Sequence, residues 1–357
     1  MFALLAIAHA VQPDRVDIAA RLVADGHAER AATVLAEIDT PKRSELGRYH
    51  TLRGLVALEL GDPKTAAEAL SIAIEYEPEP ITWVSLAAAH QQLGDPRSVL
   101  SDLEQGGPEL DALPAAWHLK ARARAELGEL DLAYQTALQG SERFPAHSGL
   151  LLERATELSA LGMNHELATA LPELLLQSEA SEDTWLQIGS QLIDAGALQD
   201  AALFGESMIL ALPDGPRPRV FLATACLNAE RWRCAGEQLA QAAAFDPEYA
   251  VQAAESFRRA GDPGRALYLN TQVIEPADKA RQRLGLLLET RSFAEATALH
   301  PRLERLGLLD EDAVAYALAY AWVQTGSPSR AEALITRLTE PAYITQGTAL
   351  LESLEAP

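Results

Sequence analysis

Three stretches that share a Gly-Asp-Pro motif decide the fold: ELGDPKTAAEAL (59–70), QLGDPRSVLSDL (92–103) and RAGDPGRALYLN (259–270). In each, a Gly-Asp-Pro turn separates two segments that are rich in helix-forming residues. Glycine adopts the left-handed conformation that ends a helix. The aspartate can cap the next helix, and proline fits the first position of that helix. Each stretch therefore predicts two helices joined by a tight turn.

The turn recurs along the chain with a period near 34 residues. We take the glycine of each turn, or the residue that replaces it, as an anchor. The ten anchors, 30 to 35 residues apart, are Gly26, Gly61, Gly94, Gly128, Gly162, Gly196, Glu230, Gly261, Arg291 and Gly326. A period of this size indicates stacked supersecondary units. At Glu230 and Arg291, where glycine is missing, we expect a rebuilt turn or a change of curvature.

Small residues recur in phase with the anchors. The position seven residues before the anchor is small in nine of the ten units, and the position five residues after it is alanine in eight. Small side chains on facing helices allow a close approach of the two backbones. Trp83, Trp117 and Trp185, eleven residues before their anchors, are predicted to fill the seam between helices.

This pattern resembles the tetratricopeptide repeat, most clearly in WVSLAAAHQQLGDP (83–96) and WLQIGSQLIDAG (185–196). The resemblance extends over residues 12–341. It implies an all-α, right-handed superhelical α-solenoid of about ten helical hairpins, and residues 342–357 are predicted to form a C-terminal capping helix. The family shares an architecture rather than a partner, so the resemblance does not name a function.

Residues 1–11 form an apolar segment outside the repeats. Ala8, His9 and Ala10 match an A-x-A signal-peptidase site, although no Lys or Arg precedes them. The segment favours export to the periplasm. The alternative is an N-terminal helical extension in a cytoplasmic protein. After residue 10 no apolar run reaches the roughly 18–20 residues that span a bilayer, so we expect no membrane insertion of the body.

The net charge and the lack of catalytic motifs in the sequence limit the classes of function that we expect. The net charge is −22, which argues against binding to nucleic-acid phosphates. No catalytic motif such as H-E-x-x-H or G-x-S-x-G occurs, and two cysteines are too few for a four-thiolate zinc site. We therefore predict a non-enzymatic scaffold, without cofactor or metal, that binds a protein or peptide. The alternatives are an RNA-binding helical-repeat protein, disfavoured by the charge, and an enzyme, for which the repeats leave no catalytic domain.

The resemblance implies that the first helices of successive units line a concave groove that holds partner segments. Groove candidates lie ten, six or three residues before an anchor; they are His118, Arg122, Glu255, Arg258, Arg281, Tyr316 and Tyr320. Tyrosine and arginine are enriched among binding hot spots, and arginine attracts carboxylates. The alternative is that the tyrosines pack along the groove wall and the arginines pair with neighbouring acids.

Cys226 and Cys234 lie four residues before and four after the anchor Glu230. This symmetry predicts that they face each other about one helical turn from the hinge, within disulfide reach. A disulfide goes with export, since exported proteins meet an oxidising environment. The alternative is a pair of buried thiols that act as small apolar side chains.

Overall fold

The computed structural model describes residues 14–355, in which every regular element is a helix. The predicted export segment, residues 1–11, lies outside the described residues. The chain divides into two compact units, and the boundary lies between Thr184 and Trp185.

The first unit consists of ten α-helices, with 3₁₀ turns at Arg43–Glu45 and Pro108–Ala112. The helices are α1 (Arg15–Ala24), α2 (Ala28–Ala36), α3 (Leu46–Glu59), α4 (Pro63–Tyr76), α5 (Pro80–Gln92), α6 (Pro96–Gln105), α7 (Pro114–Glu126), α8 (Leu130–Arg143), α9 (Ser148–Ala160) and α10 (Asn164–Gln177). The unit boundary falls within α11 (Glu182–Asp194).

The second unit continues with eleven α-helices, and its 3₁₀ turns lie at Pro247–Tyr249 and Leu308–Asp310. The helices are α12 (Leu198–Ala211), α13 (Arg217–Asn228), α14 (Trp232–Ala242), α15 (Ala250–Arg259), α16 (Pro263–Asn270), α17 (Pro276–Glu289), α18 (Phe293–Ala298), α19 (His300–Arg305), α20 (Asp312–Gln324), α21 (Pro328–Ile335) and α22 (Pro341–Glu355).

Both units are built from helical hairpins. The most extensive contacts join helices that are consecutive in the chain, such as α3 with α4 and α13 with α14. The first helix of one hairpin also contacts the first helix of the next, as α5 contacts α7 and α15 contacts α17. This arrangement confirms the predicted all-α helical repeat.

The anchors all have the left-handed backbone conformation. Their φ angles lie between 55° and 80°, and Glu230 (55°) and Arg291 (57°) follow the glycines. The same backbone hydrogen bond closes each turn. At the glycine anchor Gly61, the N–H of Asp62 donates to the carbonyl of Ala57 at 2.8 Å. At Glu230, the N–H of Arg231 donates to the carbonyl of Cys226, also at 2.8 Å. The expectation of a rebuilt turn at Glu230 and Arg291 was therefore wrong, because these bonds hold the turn without glycine.

The predicted small positions form the seams of the hairpins. The residue five positions after each anchor is fully buried in all ten units, and the residue seven positions before it is buried as well. At Gly189 a Cβ atom would lie 2.7 Å from Phe221 Cζ, closer than real Cβ atoms approach. A small residue is thus required at Gly189, whereas Val99, Leu167 and Leu284 occupy seam positions in other units. Of the three tryptophans, Trp185 is buried, whereas Trp83 and Trp117 are half-buried.

The Gly-Asp-Pro turns cap the helices as predicted. The side chains of Asp62, Asp95 and Asp262 each accept a hydrogen bond from the backbone N–H three residues on, at 3.1, 3.2 and 3.1 Å. The prolines that follow are the first residues of α4, α6 and α16. Each aspartate therefore satisfies one N–H that the following helix leaves unpaired.

The last helix, α22, contacts α20 and α21. Tyr343 packs against Tyr316 with ring centroids 5.9 Å apart, and Gly347 lies close to Ile335. The helix thus covers part of the final hairpin. The division into a repeat domain (12–341) and a capping segment (342–357) remains a prediction. Within residues 14–355 no helix combines the length and the apolar character that crossing a membrane requires.

Candidate functional site

The exposed side of the first helices is the candidate binding surface, which we call the first-helix face. It consists, in each unit separately, of the side chains ten, six and three residues before the anchors, together with Glu289, which lies two residues before Arg291. The position seven residues before each anchor lies on the same helices but is buried, so it is not part of this face. All seven candidate residues are at least partly exposed. These seven side chains are therefore accessible to solvent, and Tyr316 also packs against the core of its unit.

In the second unit, Arg258 joins two first helices. Its Nε and Nη2 donate to the two carboxylate oxygens of Glu255 on α15, both at 2.7 Å. Its Nη1 donates to Glu289 on α17 at 2.5 Å. Hydrogen bonds from Arg258 hold the pKa of Glu255 below its usual range. The hydrogen bonds of Arg258 therefore fix the positions of both carboxylates relative to its guanidinium.

Arg281 makes the next link along the same face. Its Nε and Nη2 donate to Glu311, the residue before α20, at 2.9 and 2.6 Å, and its Nη1 donates to Asp278 at 2.9 Å. These bonds lower the pKa of the Glu311 carboxyl. Both candidate arginines are thus paired with neighbouring acids, which is the alternative that the sequence left open.

The two candidate tyrosines lie on α20, one helical turn apart. Tyr316 packs on Tyr343 of α22, and Tyr320 makes an edge contact with Phe293 of α18, each at a centroid distance of 5.9 Å. Both rings therefore pack along the helix while remaining partly exposed.

In the first unit, His118 and Arg122 lie on α7. Arg122 Nε donates to Glu126 Oε1 at 3.3 Å, and His118 Nδ1 lies 3.2 Å from Glu153 Oε2 on α9. Burial, together with the nearby charge of Glu157, raises the pKa of Glu153 to about 7. Burial and the charge of Arg122 lower the pKa of His118. Burial therefore favours the neutral forms of both His118 and Glu153.

The structure brings the candidates together in two groups. Glu255 and Arg258 are in direct contact, and Arg281, Tyr316 and Tyr320 lie on the same face of the second unit. His118 and Arg122 belong to the first unit. A role in partner binding remains a prediction for all seven.

A further group of side chains, not among the predicted candidates, lies beside the Glu230 turn. The guanidinium of Arg259 lies 4.8 Å from the centre of the Trp232 ring, and Arg231 and Arg233 flank this tryptophan. The signal that could have revealed it is the triplet RWR (231–233), directly after a non-glycine anchor in an acidic chain.

The two cysteines lie on either side of the same turn. Cys226 on α13 and Cys234 on α14 form a disulfide with Cα atoms 5.9 Å apart. No group of three or more His, Cys, Asp and Glu side chains within residues 14–355 is arranged to hold a metal ion.

The helical hairpins, their recurring left-handed turns and their buried small residues settle the class of architecture. The chain is an all-α protein of repeated helical hairpins, an architecture like that of tetratricopeptide repeats. No protein-family model matches the sequence, and no curated protein is significantly similar to it.

Several solved structures resemble the chain at low sequence identity. PilW, a type IV pilus biogenesis factor, is 14% identical, with a TM-score of 0.41 over 64% of this chain and 91% of its own. IFIT1 in complex with Gppp-AAAA is 14% identical, with a TM-score of 0.38 over 90% of this chain and 70% of its own. A tetratricopeptide repeat protein from Parabacteroides merdae is 14% identical, with a TM-score of 0.35 over 77% and 98%.

Proposed function

We propose that this protein is a non-enzymatic interaction scaffold whose first-helix face binds a segment of a protein partner. The observation that carries the proposal is the set of ion pairs formed by Arg258 and Arg281, which link successive first helices along an exposed face. Repeat proteins of this architecture use extended surfaces of stacked helices for binding.

The ion pairs support a binding role because they contribute little to stability. The side chain of Arg258 is 33% exposed and that of Arg281 is 39% exposed, and their partners Glu289 and Glu311 are exposed to a similar degree. Pairs with this exposure contribute up to about 1 kcal/mol. They do, however, fix the positions of charges and reduce the side-chain entropy that this protein loses when it binds a partner.

The charge of the chain favours a protein partner over RNA. A protein that binds RNA without strong sequence preference needs a positively charged groove, and this chain has a net charge of −22. Retention on heparin or poly-U at physiological salt would favour the RNA-binding alternative.

A two-step experiment tests the proposal. Crosslinking in native cells, followed by capture of the protein and mass spectrometry, identifies the partner. The affinity of the purified partner is then measured for the wild type and for the double variant Arg258→Gln/Arg281→Gln. We expect at least tenfold weaker binding, because two charged contacts are lost.

The matched control is Arg265→Gln/Arg337→Gln. It removes the same charge from two exposed ion pairs that lie outside the first helices, with Glu237 and Asp310. The control should bind as the wild type does. An unchanged affinity of the Arg258→Gln/Arg281→Gln variant would show that the partner contacts another surface.

A further inference from the structure

Arg231 and Arg233 lie at the turn after α13, on either side of Trp232 in the sequence. Both side chains are exposed, and no ion pair within 4.0 Å involves either of them in the part of the chain from 14 to 355. Arg258 and Arg281, by contrast, are paired. Both guanidinium groups line one surface depression and retain their capacity to bind a carboxylate bidentately.

Trp232, between the two arginines, forms the floor of a surface depression. The depression has a volume of about 550 Å³ and is lined by Arg231, Trp232, Arg233, Cys234, Glu237, Arg259 and Ala260. The Glu237 carboxylate in this lining is paired with Arg265 at 3.2 Å. Arg259 stacks on Trp232 at 4.8 Å, and its Nε donates to Glu255 at 2.9 Å. Stacking on an aromatic ring orients the guanidinium plane. Three arginines therefore border one small concave surface.

A second cavity adjoins the depression on the first-helix face. It has a volume of about 390 Å³, shares Trp232 and Arg259 with the depression, and is also lined by Leu227 of α13 and Val251 of α15. Leu227, Val251 and the Trp232 indole form an apolar part of this cavity, which suits an apolar side chain, and Gln252, Glu255 and Ser256 complete its lining. A ligand that spans both cavities would thus combine an anionic group with an apolar one.

The charge distribution supports an anionic ligand at this place. Residues 217–305 contain 13 Lys and Arg against 11 Asp and Glu, whereas the whole chain has a net charge of −22. The segment around the depression is therefore positive in an otherwise negative molecule. A short acidic segment is attracted locally, whereas a long polyanion also meets the negative charge of the rest of the chain.

We propose that the depression around Trp232 binds an acidic peptide segment of a protein partner. Asp or Glu carboxylates bind Arg231 and Arg233, and a neighbouring apolar side chain enters the cavity between Leu227 and Val251. This inference rests on the proposed function, since it names the chemistry of the partner segment. The disulfide between Cys226 and Cys234 closes around the turn and holds Arg231 and Arg233 in place.

The test uses fluorescein-labelled peptides and the full-length oxidised protein, with binding followed by fluorescence anisotropy. The probe is Gly-Glu-Asp-Leu-Glu-Asp-Gly, and its neutral counterpart is Gly-Gln-Asn-Leu-Gln-Asn-Gly. We expect the acidic peptide to bind at least tenfold more tightly than the neutral one. The double variant Arg231→Gln/Arg233→Gln should bind the acidic peptide at least tenfold more weakly than the wild type.

Arg302→Gln/Arg305→Gln, on α19, is the charge-matched control and should retain binding within twofold. Circular dichroism verifies that both variants are folded. Equal losses in the two variants, equal binding of the two peptides, or tighter binding of labelled poly-U than of the acidic peptide would each overturn the proposal. Arg258 and Arg281 are unchanged in these variants. If the acidic peptide does not bind the depression, the proposed function can therefore still be tested with the Arg258→Gln/Arg281→Gln variant.

Discussion

Glu230 and Arg291 adopt a backbone conformation that ordinarily favours glycine. Left-handed φ values cost a residue with a Cβ roughly 1–2 kcal/mol. We therefore expect Glu230→Gly and Arg291→Gly each to raise the free energy of unfolding by about 0.5–1 kcal/mol, part of the gain being offset by the greater entropy of glycine in the unfolded chain. Urea denaturation measures this change.

Gly128→Ala provides the reverse control. Its φ is +80°, and no atom lies within 4 Å of an added Cβ, so the substitution changes only the backbone preference. It should lower the free energy of unfolding by about 1 kcal/mol. A loss of stability in Glu230→Gly would contradict the assignment of a strained left-handed turn at this anchor.

Glu153 makes stability depend on pH. Its pKa in the folded protein is about 7, above the ordinary value of 4.5, because the charged form is buried near Glu157. Below about pH 4.5 the carboxyl is protonated in both states. As the pH rises towards 7, the unfolded state releases its proton first, so this group lowers the stability of the folded state progressively.

The variant Glu153→Gln should therefore be more stable than the wild type by about 1–3 kcal/mol at pH 8, and the difference should shrink as the pH falls to 5. Comparing the two proteins at each pH separates the contribution of Glu153 to stability from that of His118. The pKa of His118 is lowered, so its contribution to stability changes with pH in the opposite direction. Glu142→Gln, an exposed position on α8, is the control. A stability difference that does not change with pH would exclude this account of Glu153.

The residues that could be predicted from the sequence are those whose role is set within one hairpin. The buried alanines, the capping aspartates and the left-handed glycines follow from local geometry that repeats ten times. The partners of Arg258 and Arg281 could not be predicted, because Glu289 and Glu311 lie about 30 residues away. Their contact depends on the register between successive first helices.

At the scale of elements, the hairpin of α13 and α14 differs from the others by its disulfide. The cysteines are separated by 8 positions in sequence. Closing a loop of this size stabilises a protein by roughly 2–3 kcal/mol in the chain-entropy description. We expect reduction to lower the free energy of unfolding by about this amount and to weaken binding of the acidic peptide.

Thiol labelling in denaturant tests the disulfide directly. Without reductant the unfolded protein should incorporate no label, and after reduction it should incorporate two. Two labelled thiols without reductant would show that the cysteines are not bridged. The double variant Cys226→Ala/Cys234→Ala separates loss of the bridge from side effects of the reductant.

The position of each hairpin could be predicted from the 34-residue period, but the surface at the α13–α14 turn could not. Arg259 follows Trp232 by 27 residues and reaches it only because α15 packs beside α14. No pattern in the sequence specifies which face of Trp232 is covered. The depression around it became visible only with the packing of these helices.

At the scale of the whole molecule, the contacts within each unit join elements that are near in sequence. In such repeats, stability is approximately a sum of terms from each hairpin and its neighbours. A local defect should therefore loosen the adjacent hairpins and leave distant ones unchanged. The first-helix face depends on this arrangement, because each hairpin contributes its own side chains to it.

The most direct test of this arrangement is hydrogen–deuterium exchange measured by mass spectrometry on Ala133→Val. Ala133 is fully buried at a seam position of α8, and the larger side chain should cost about 1–3 kcal/mol. Our account predicts faster amide exchange in α7, α8 and α9, with exchange in α20, α21 and α22 unchanged. Equal acceleration along the whole chain would contradict it.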